Sequence, residues 1–198
     1  MINVGIIRYP GSNCDIETMN YFTFEKYNNK CFYIWHNSED ITLLNNIDLL
    51  VLPGGFAFGD RIYEKATHEY IMSPGTMALN SPVSKIIMEA VKINIPILGI
   101  CNGFQILTQM GLLPGKLLLN DSEKFNCEKT KCIVNYENYN KTHELYIANS
   151  YGKYINNEEL TYPYSYFLKY ENGSVAGVLN NKNKIIGMMP HPERNNYD

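Results

Sequence analysis

The sequence is short of everything that marks a polyanion binder, a secreted scaffold or a membrane protein. Its 17 lysines and arginines are outnumbered by 20 acidic residues, for a formal net charge of −3, and they are scattered. No basic footprint for nucleic acid results, and a sequence pI near 5.8 agrees. No apolar run reaches the length of a membrane span. The opening Met-Ile-Asn-Val-Gly-Ile-Ile lacks the charged start and long apolar core of a signal peptide, so a cytoplasmic chain is expected. Five cysteines (Cys14, Cys31, Cys101, Cys127, Cys132) form an odd set, and a chain of 198 residues has surface enough to bury without a disulfide framework. Cys127 and Cys132 lack a second ligand pair at zinc spacing, so no metal is expected. Glycosylation-type triplets at Asn120, Asn140 and Asn172 mean little in such a chain. Internal repeats, low-complexity linkers and nucleotide-phosphate motifs are also missing.

What is present is alternation. Val4 to Arg8, Cys31 to Trp35, Ile47 to Leu52 and Ile95 to Ile100 are short apolar runs of the kind buried on both faces of a parallel sheet. Helical patterns lie between them. Ser12 followed by Asp15 resembles a capping box that opens a helix to about Tyr27, and Val83, Ile86, Ile87, Ala90 and Val91 lie on one face of a helix to Ile93. The spacing predicts one α/β domain over 1–198, with a doubly wound, mostly parallel sheet and helices on both faces. After Gly111-Leu-Leu-Pro-Gly115 the texture changes. Lys131 to Tyr136, Glu144 to Asn149, Tyr164 to Tyr170, Ser174 to Leu179 and Lys184 to Met189 read as strands of a smaller antiparallel portion, with a hairpin signal at Asn172-Gly173. Gly59 to Ser81 is the least regular stretch, either a flap or a surface excursion. His36, with no obvious partner, reads as a surface or capping residue.

Three strand ends carry chemistry. Gly99 and Gly103 bracket Cys101 where an apolar strand turns sharply into a helix, the layout of a nucleophile elbow with cysteine in place of serine. At a helix N-terminus, dipole and free N–H groups favour a thiolate. Alone, Cys101 reads equally as a small core residue ending a strand. Pro53-Gly54-Gly55-Phe56 ends another strand at the same sheet edge, where a Gly55 N–H paired with the Asn102 N–H makes an oxyanion hole. Met188-Met-Pro-His-Pro-Glu-Arg194 ends the last strand. His191 and Glu193 are two apart on a chain that the prolines keep extended, so both side chains project alike, either as base and orienter or as a surface pair. Pro10-Gly11-Ser12-Asn13 has a single glycine and reads as a structural turn rather than a phosphate loop.

In order and spacing, Pro53-Gly-Gly-Phe, Gly99-Ile-Cys-Asn-Gly-Phe-Gln-Ile-Leu and Pro190-His-Pro-Glu-Arg resemble class I, triad-type glutamine amidotransferases. With Pro10-Gly-Ser-Asn-Cys-Asp15, Gly54-Gly-Phe-Ala-Phe-Gly-Asp60 and Gly111-Leu-Leu-Pro-Gly115, the likeness covers nearly the whole chain. It is closest to the branch of glutaminase subunits of phosphoribosylformylglycinamidine synthase. The resemblance implies a flavodoxin-like type 1 amidotransferase domain with Cys101 as nucleophile, His191 as acid/base and Glu193 as its orienter. It also implies an oxyanion hole from the Gly55 and Asn102 amides, and glutamine contacts from Gly54, Gln105, Ser150 and Tyr151, with a helix-surface role open for Gln105. No cofactor is implied for this chain. ATP and magnesium are expected on a partner synthetase subunit, with a small third subunit as a further partner; nucleic acid and membrane are not. Ala148-Asn-Ser-Tyr-Gly152 departs from the family's Ala-His-Gly-Glu-Gly, Arg61 to Ser81 is longer than usual, and a C-terminal helix after Arg194 is lacking, leaving sheet surface for the partner to cover. The rivals are a glutaminase feeding another pathway such as pyridoxal phosphate synthesis, a non-catalytic module docked on a synthetase, and a cysteine hydrolase of other amides or esters.

Overall fold

Short β-branched and leucine-rich runs make the centre of the sheet. A computed structural model describes residues 1–24, 27–58, 74–157 and 163–197. Strands β1 (Asn3–Arg8), β2 (Lys30–Trp35), β3 (Leu49–Leu52) and β4 (Ile97–Ile100) pair in parallel, with the interior residues of β1, β3 and β4 nearly all buried. Strand β11 (Ile185–Met188) extends this parallel set beside β4. Antiparallel strands follow: β10 (Val175–Asn180), β9 (Tyr164–Tyr170), β6 (Asn126–Tyr136) and β7 (Tyr139–Asn149). Among the described residues the nine-stranded order is β2-β1-β3-β4-β11-β10-β9-β6-β7, so five parallel strands continue into four antiparallel ones. Order reverses between β1 and β3. With right-handed crossovers, this puts α1 (Asp15–Thr23) and α3 (Ser84–Lys92) on opposite faces, and the carboxyl edge there is where open α/β sheets place their sites.

Helix α4 (Asn102–Gln109) packs on β3, β4 and β11, with Phe104, Ile106 and Leu107 buried in the main core. A second, smaller cluster of Cys132, Leu145, Leu168, Ala176 and Met188 sits in the antiparallel half. Gly187 lies against Phe104; a β-carbon there would come within 2.1 Å of the ring. No described helix is long and apolar enough to cross a membrane.

Several expectations need correction. The capping box does not form: Ser12 Oγ accepts from the Tyr9 N–H instead, and Asp15 pairs with Arg8 while Cys14 occupies the cap position. The Asp15 carboxylate is shared between the Arg8 guanidinium and the Ile16 N–H, which donates to Oδ1 at 2.9 Å, so neither oxygen is left to reach back to Ser12. Helix α1 ends at Thr23 rather than near Tyr27. The two strands expected at Lys131 and Glu144 are halves of one long hairpin, turned by Glu137 and Asn138 with Glu137 at φ 51°; polar residues outside the apolar alternation hid their length. Strands β5 (Lys116–Leu118) and β8 (Lys153–Ile155) form an unanticipated two-stranded sheet. Within the irregular 59–81 stretch, Pro74–Asn80 is helix α2, packed on α3 and α4; residues 59–73 lie outside the described residues. His36 packs its ring edge-on against Phe58 beside β2.

Candidate active site

Three neighbouring parallel strands bring the three motifs together. Leu52 aligns with Gly99 and Ile100 with Met188, so the chain leaves β3, β4 and β11 side by side. The Cys101 N–H donates to the Met188 carbonyl at 2.7 Å, continuing the ladder one residue past the strand. Cys101 then takes φ 50°, ψ −105°, a conformation that L residues rarely adopt and that persists only where its surroundings enforce it. Helix α4 enforces it from the other side, since the Gln105 N–H donates to the Cys101 carbonyl at 3.1 Å. The bracketing glycines permit this closeness. A β-carbon on Gly103 would lie 2.0 Å from the Leu52 carbonyl oxygen, and one on Gly99 2.8 Å from Gly103 backbone. The first amides of α4, beginning with Asn102, have no partner within the helix, the kind of donor that suits an anion.

His191 is anchored by its backbone, whose N–H donates to the Tyr146 carbonyl at 2.8 Å across an isolated bridge to β7. The extended course expected through both prolines stops there. Pro192 opens a 3-10 turn, Pro192–Tyr197, packed on α1 and β7, because its fixed φ suits a first helical position. Glu193 therefore reaches His191 around a turn. His191 Nδ1–H donates to Glu193 Oε1 at 2.6 Å, with the two side chains 1% and 0% exposed. A carboxylate only accepts, so the proton resides on Nδ1 and Nε2 is left for chemistry. Burial alone would push the imidazole pKa down; the charge and hydrogen bonding of Cys101 and then Glu193 outweigh it and raise it to about 10. Gly54 completes the contact. A β-carbon there would fall 2.7 Å from His191 Cε1 and 3.4 Å from Cys101 Cβ, so the glycine loop, the cysteine and the histidine meet at one point.

The remaining expected residues are held by groups other than Cys101 and His191. Gly55 has φ 127° and abuts Asn13. The Gln105 side chain is committed at both ends: Nε2 donates to the Tyr151 carbonyl at 2.9 Å and Oε1 accepts from Asn102 Nδ2 at 3.0 Å. The Ser150 carbonyl accepts from the Asn120 N–H at 2.8 Å. Asn120, not anticipated, clasps the departure from the family pattern. Its Nδ2 donates to the Asn149 carbonyl at 2.9 Å and its Oδ1 accepts from the Gly152 N–H at 2.9 Å. Cys101 Sγ lies 3.7 Å from the Ala148 carbonyl. Cys14 was legible as part of a motif but carried no role. Burial pushes its thiol up to about 12, Arg194 Nη2 donates to its sulfur at 3.3 Å, and the sulfur lies within 4.8 Å of His191 and Glu193 ligand atoms. A protonated thiol already holding a guanidinium is a poor ligand for a cation.

A cysteine on a strained strand-to-helix turn, a buried histidine–carboxylate pair beside it and a glycine loop against both define a triad-type thiol amidotransferase. Residues 1–161 match the family of CobB/CobQ-like glutamine amidotransferase domains. The subunit PurQ of phosphoribosylformylglycinamidine synthase from one Prochlorococcus marinus strain is 34% identical over 211 residues, covering 98% of this chain and 90% of that protein. PurQ from a second strain is 34% identical, covering 96% and 88%. A chain in the structure of PurLQS from Thermotoga maritima superposes with a TM-score of 0.80 at 31% identity, over 98% of this chain and 88% of that one. A glutamine amidotransferase from Thermotoga maritima shares the fold at TM-score 0.66 and 20% identity, over 97% of this chain and 76% of that one. The chain belongs to the glutamine amidotransferase family, in its PurQ branch.

Proposed function

We propose that this chain is the glutaminase subunit of a phosphoribosylformylglycinamidine synthase. It hydrolyses glutamine to glutamate and ammonia and passes the ammonia to an ATP-dependent synthetase subunit. The observation that carries the reading is the meeting of Gly54, Cys101 and His191, with Glu193 on the far side of the imidazole. Full-length likeness to PurQ and to a chain of PurLQS supports the choice of partner.

The chemistry follows from the geometry. Cys101 Sγ attacks the carboxamide carbon of glutamine, and the oxygen that gains charge is met by the Gly55 and Asn102 amides. The protonated His191 hands its Nε2 proton to the nitrogen, the C–N bond breaks, and ammonia leaves a thioester on Cys101. Neutral His191 then takes a proton from water, whose oxygen attacks the thioester carbon; the C–S bond breaks, and glutamate leaves. Glu193 holds the ring tautomer throughout. Gly54 and the 150–151 backbone line the amino-acid side. ATP and magnesium belong to the synthetase subunit, a small third subunit joins the assembly, and the complex works in the cytoplasm.

The test is co-purification with the synthetase subunit, followed by glutamine-dependent and ammonia-dependent synthesis assays. Cys101→Ala is expected to abolish the first and leave the second intact. Glutamine-dependent synthesis that survives Cys101→Ala overturns the reading.

A further inference from the structure

Two amide side chains at the elbow form an uninterrupted hydrogen-bonded line that the chemistry above does not use. The Ala57 N–H, in the loop that carries Gly54 and Gly55, donates to Asn102 Oδ1 at 3.1 Å. Asn102 Nδ2 donates to Gln105 Oε1 at 3.0 Å, and Gln105 Nε2 donates to the Tyr151 carbonyl at 2.9 Å. Ala57, Asn102 and Gln105 are all buried. The line begins on a backbone donor and ends on a backbone acceptor, so the orientation of both amides is fixed by groups of known polarity. Only a side chain with both a donor and an acceptor serves at either position. The three-residue separation on the first turn of α4 puts the two side chains next to each other.

We propose that Asn102 and Gln105 are positioning residues, a two-amide relay that fixes the spacing of the Gly55 and Asn102 oxyanion donors and ties it to the glutamine-side loop at Tyr151. The inference rests on the glutaminase reading. Asn102 thereby has two separate duties: its backbone N–H meets the oxyanion, and its side chain sets how far that N–H stands from the opposite loop. Gln105 holds the glutamine-side loop at the Tyr151 carbonyl, and Asn120 holds it at Asn149 and Gly152. Distance errors at the oxyanion are therefore transmitted to the amino-acid subsite, and the reverse. Buried polar lines of this kind are stiff when every member is satisfied and costly when one is removed.

The test is steady-state glutaminase kinetics on the assembled complex for Asn102→Leu, Asn102→Asp, Gln105→Met and the double variant Asn102→Leu/Gln105→Met. Asn102→Leu removes both links and is expected to lower kcat roughly 10- to 100-fold with little change in KM. Gln105→Met frees Tyr151 and is expected to raise KM for glutamine roughly 10-fold and to lower kcat as well. The double variant is expected to be no worse than Asn102→Leu in kcat, since one line is broken only once. Hydrogen exchange supplies a second readout: the Ala57 amide is expected to lose protection in Asn102→Leu and keep it in Asn102→Asp, which retains the acceptor. Wild-type kcat in Asn102→Leu, or fully multiplicative effects in the double variant, overturns the relay. Gln105→Met with KM raised and kcat untouched also overturns it, pointing to a direct glutamine contact instead. An inactive wild-type complex whose Cys101 resists glutamine-like electrophiles overturns the glutaminase reading itself.

Discussion

Replacing Gly54 by alanine perturbs the site by one methyl group whose neighbours are known. The added carbon would stand 2.7 Å from His191 Cε1, where ordinary contact begins at 3.4 Å, and it already touches Cys101 Cβ and Cys14 Sγ at 3.4 Å. It has no room to retreat toward either sulfur-bearing residue, so the imidazole moves by the missing 0.7 Å or the loop carrying Gly55 does. The histidine cannot follow freely, being held at Nδ1 by Glu193 and at its backbone by Tyr146. A misplacement approaching 1 Å at a reacting centre costs on the order of 100-fold, so Gly54→Ala is expected to lower kcat roughly 10- to 100-fold, or about 1.4–2.7 kcal/mol of barrier. Overpacking of this kind costs about 1–3 kcal/mol of stability, which a chain this size tolerates. The assay is the ratio of glutamine-dependent to ammonia-dependent synthesis by the complex, because the second rate reports the partner alone while the first needs His191 in place. A ratio within twofold of wild type, with the variant folded, refutes the convergence of Gly54, Cys101 and His191.

The pH dependence of His191 follows from its surroundings. Its pKa is raised from 6.5 to about 10, so the stability it contributes is fully present below pH 6.5 and is lost as pH rises through about 10. Ring NMR is expected to show His191 titrating near the upper value, and Cys101→Ala, which removes one of the two partners that raise it and leaves Glu193, is expected to bring the titration down; a wild-type ring titrating at 6.5 contradicts this. Gly103→Ala drives a methyl to 2.0 Å from the Leu52 carbonyl and is expected to cost several kcal/mol, since backbone on both sides must separate. Thermal melting is expected to fall by roughly 2–4 °C per kcal/mol, and an unchanged melting temperature contradicts the close approach of α4 to β3.

The parallel half of the fold was legible because its strands are buried on both faces and appear as unbroken apolar runs at Val4, Leu50 and Ile97. Strand β6 was half legible. Asn126 to Thr130 is polar and faces solvent for most of its length, so nothing in composition separates it from a loop. The elbow and the histidine–carboxylate pair were legible from glycine and proline placement, yet the route from His191 to Glu193 was not. Pro192 suits an extended chain and a helical first turn equally, and the choice is made by packing on α1 and β7. The relay was hidden for a similar reason. Asn102 and Gln105 are a helical turn apart in the sequence, but the Ala57 and Tyr151 backbone groups that give them meaning arrive from 45 and 46 residues away. Asn120 and Cys14 were silent because their partners, Gly152 and Arg194, are also remote.

The glutaminase reading requires Cys101 to be the nucleophile, and Cys14, close by and buried, is its natural control. Treating the complex with a glutamine-like electrophile and mapping the adduct by peptide mass spectrometry distinguishes them. One label per chain is expected, on Cys101, lost in Cys101→Ala and blocked by excess glutamine. A label on Cys14, or incorporation that persists in Cys101→Ala, contradicts that assignment.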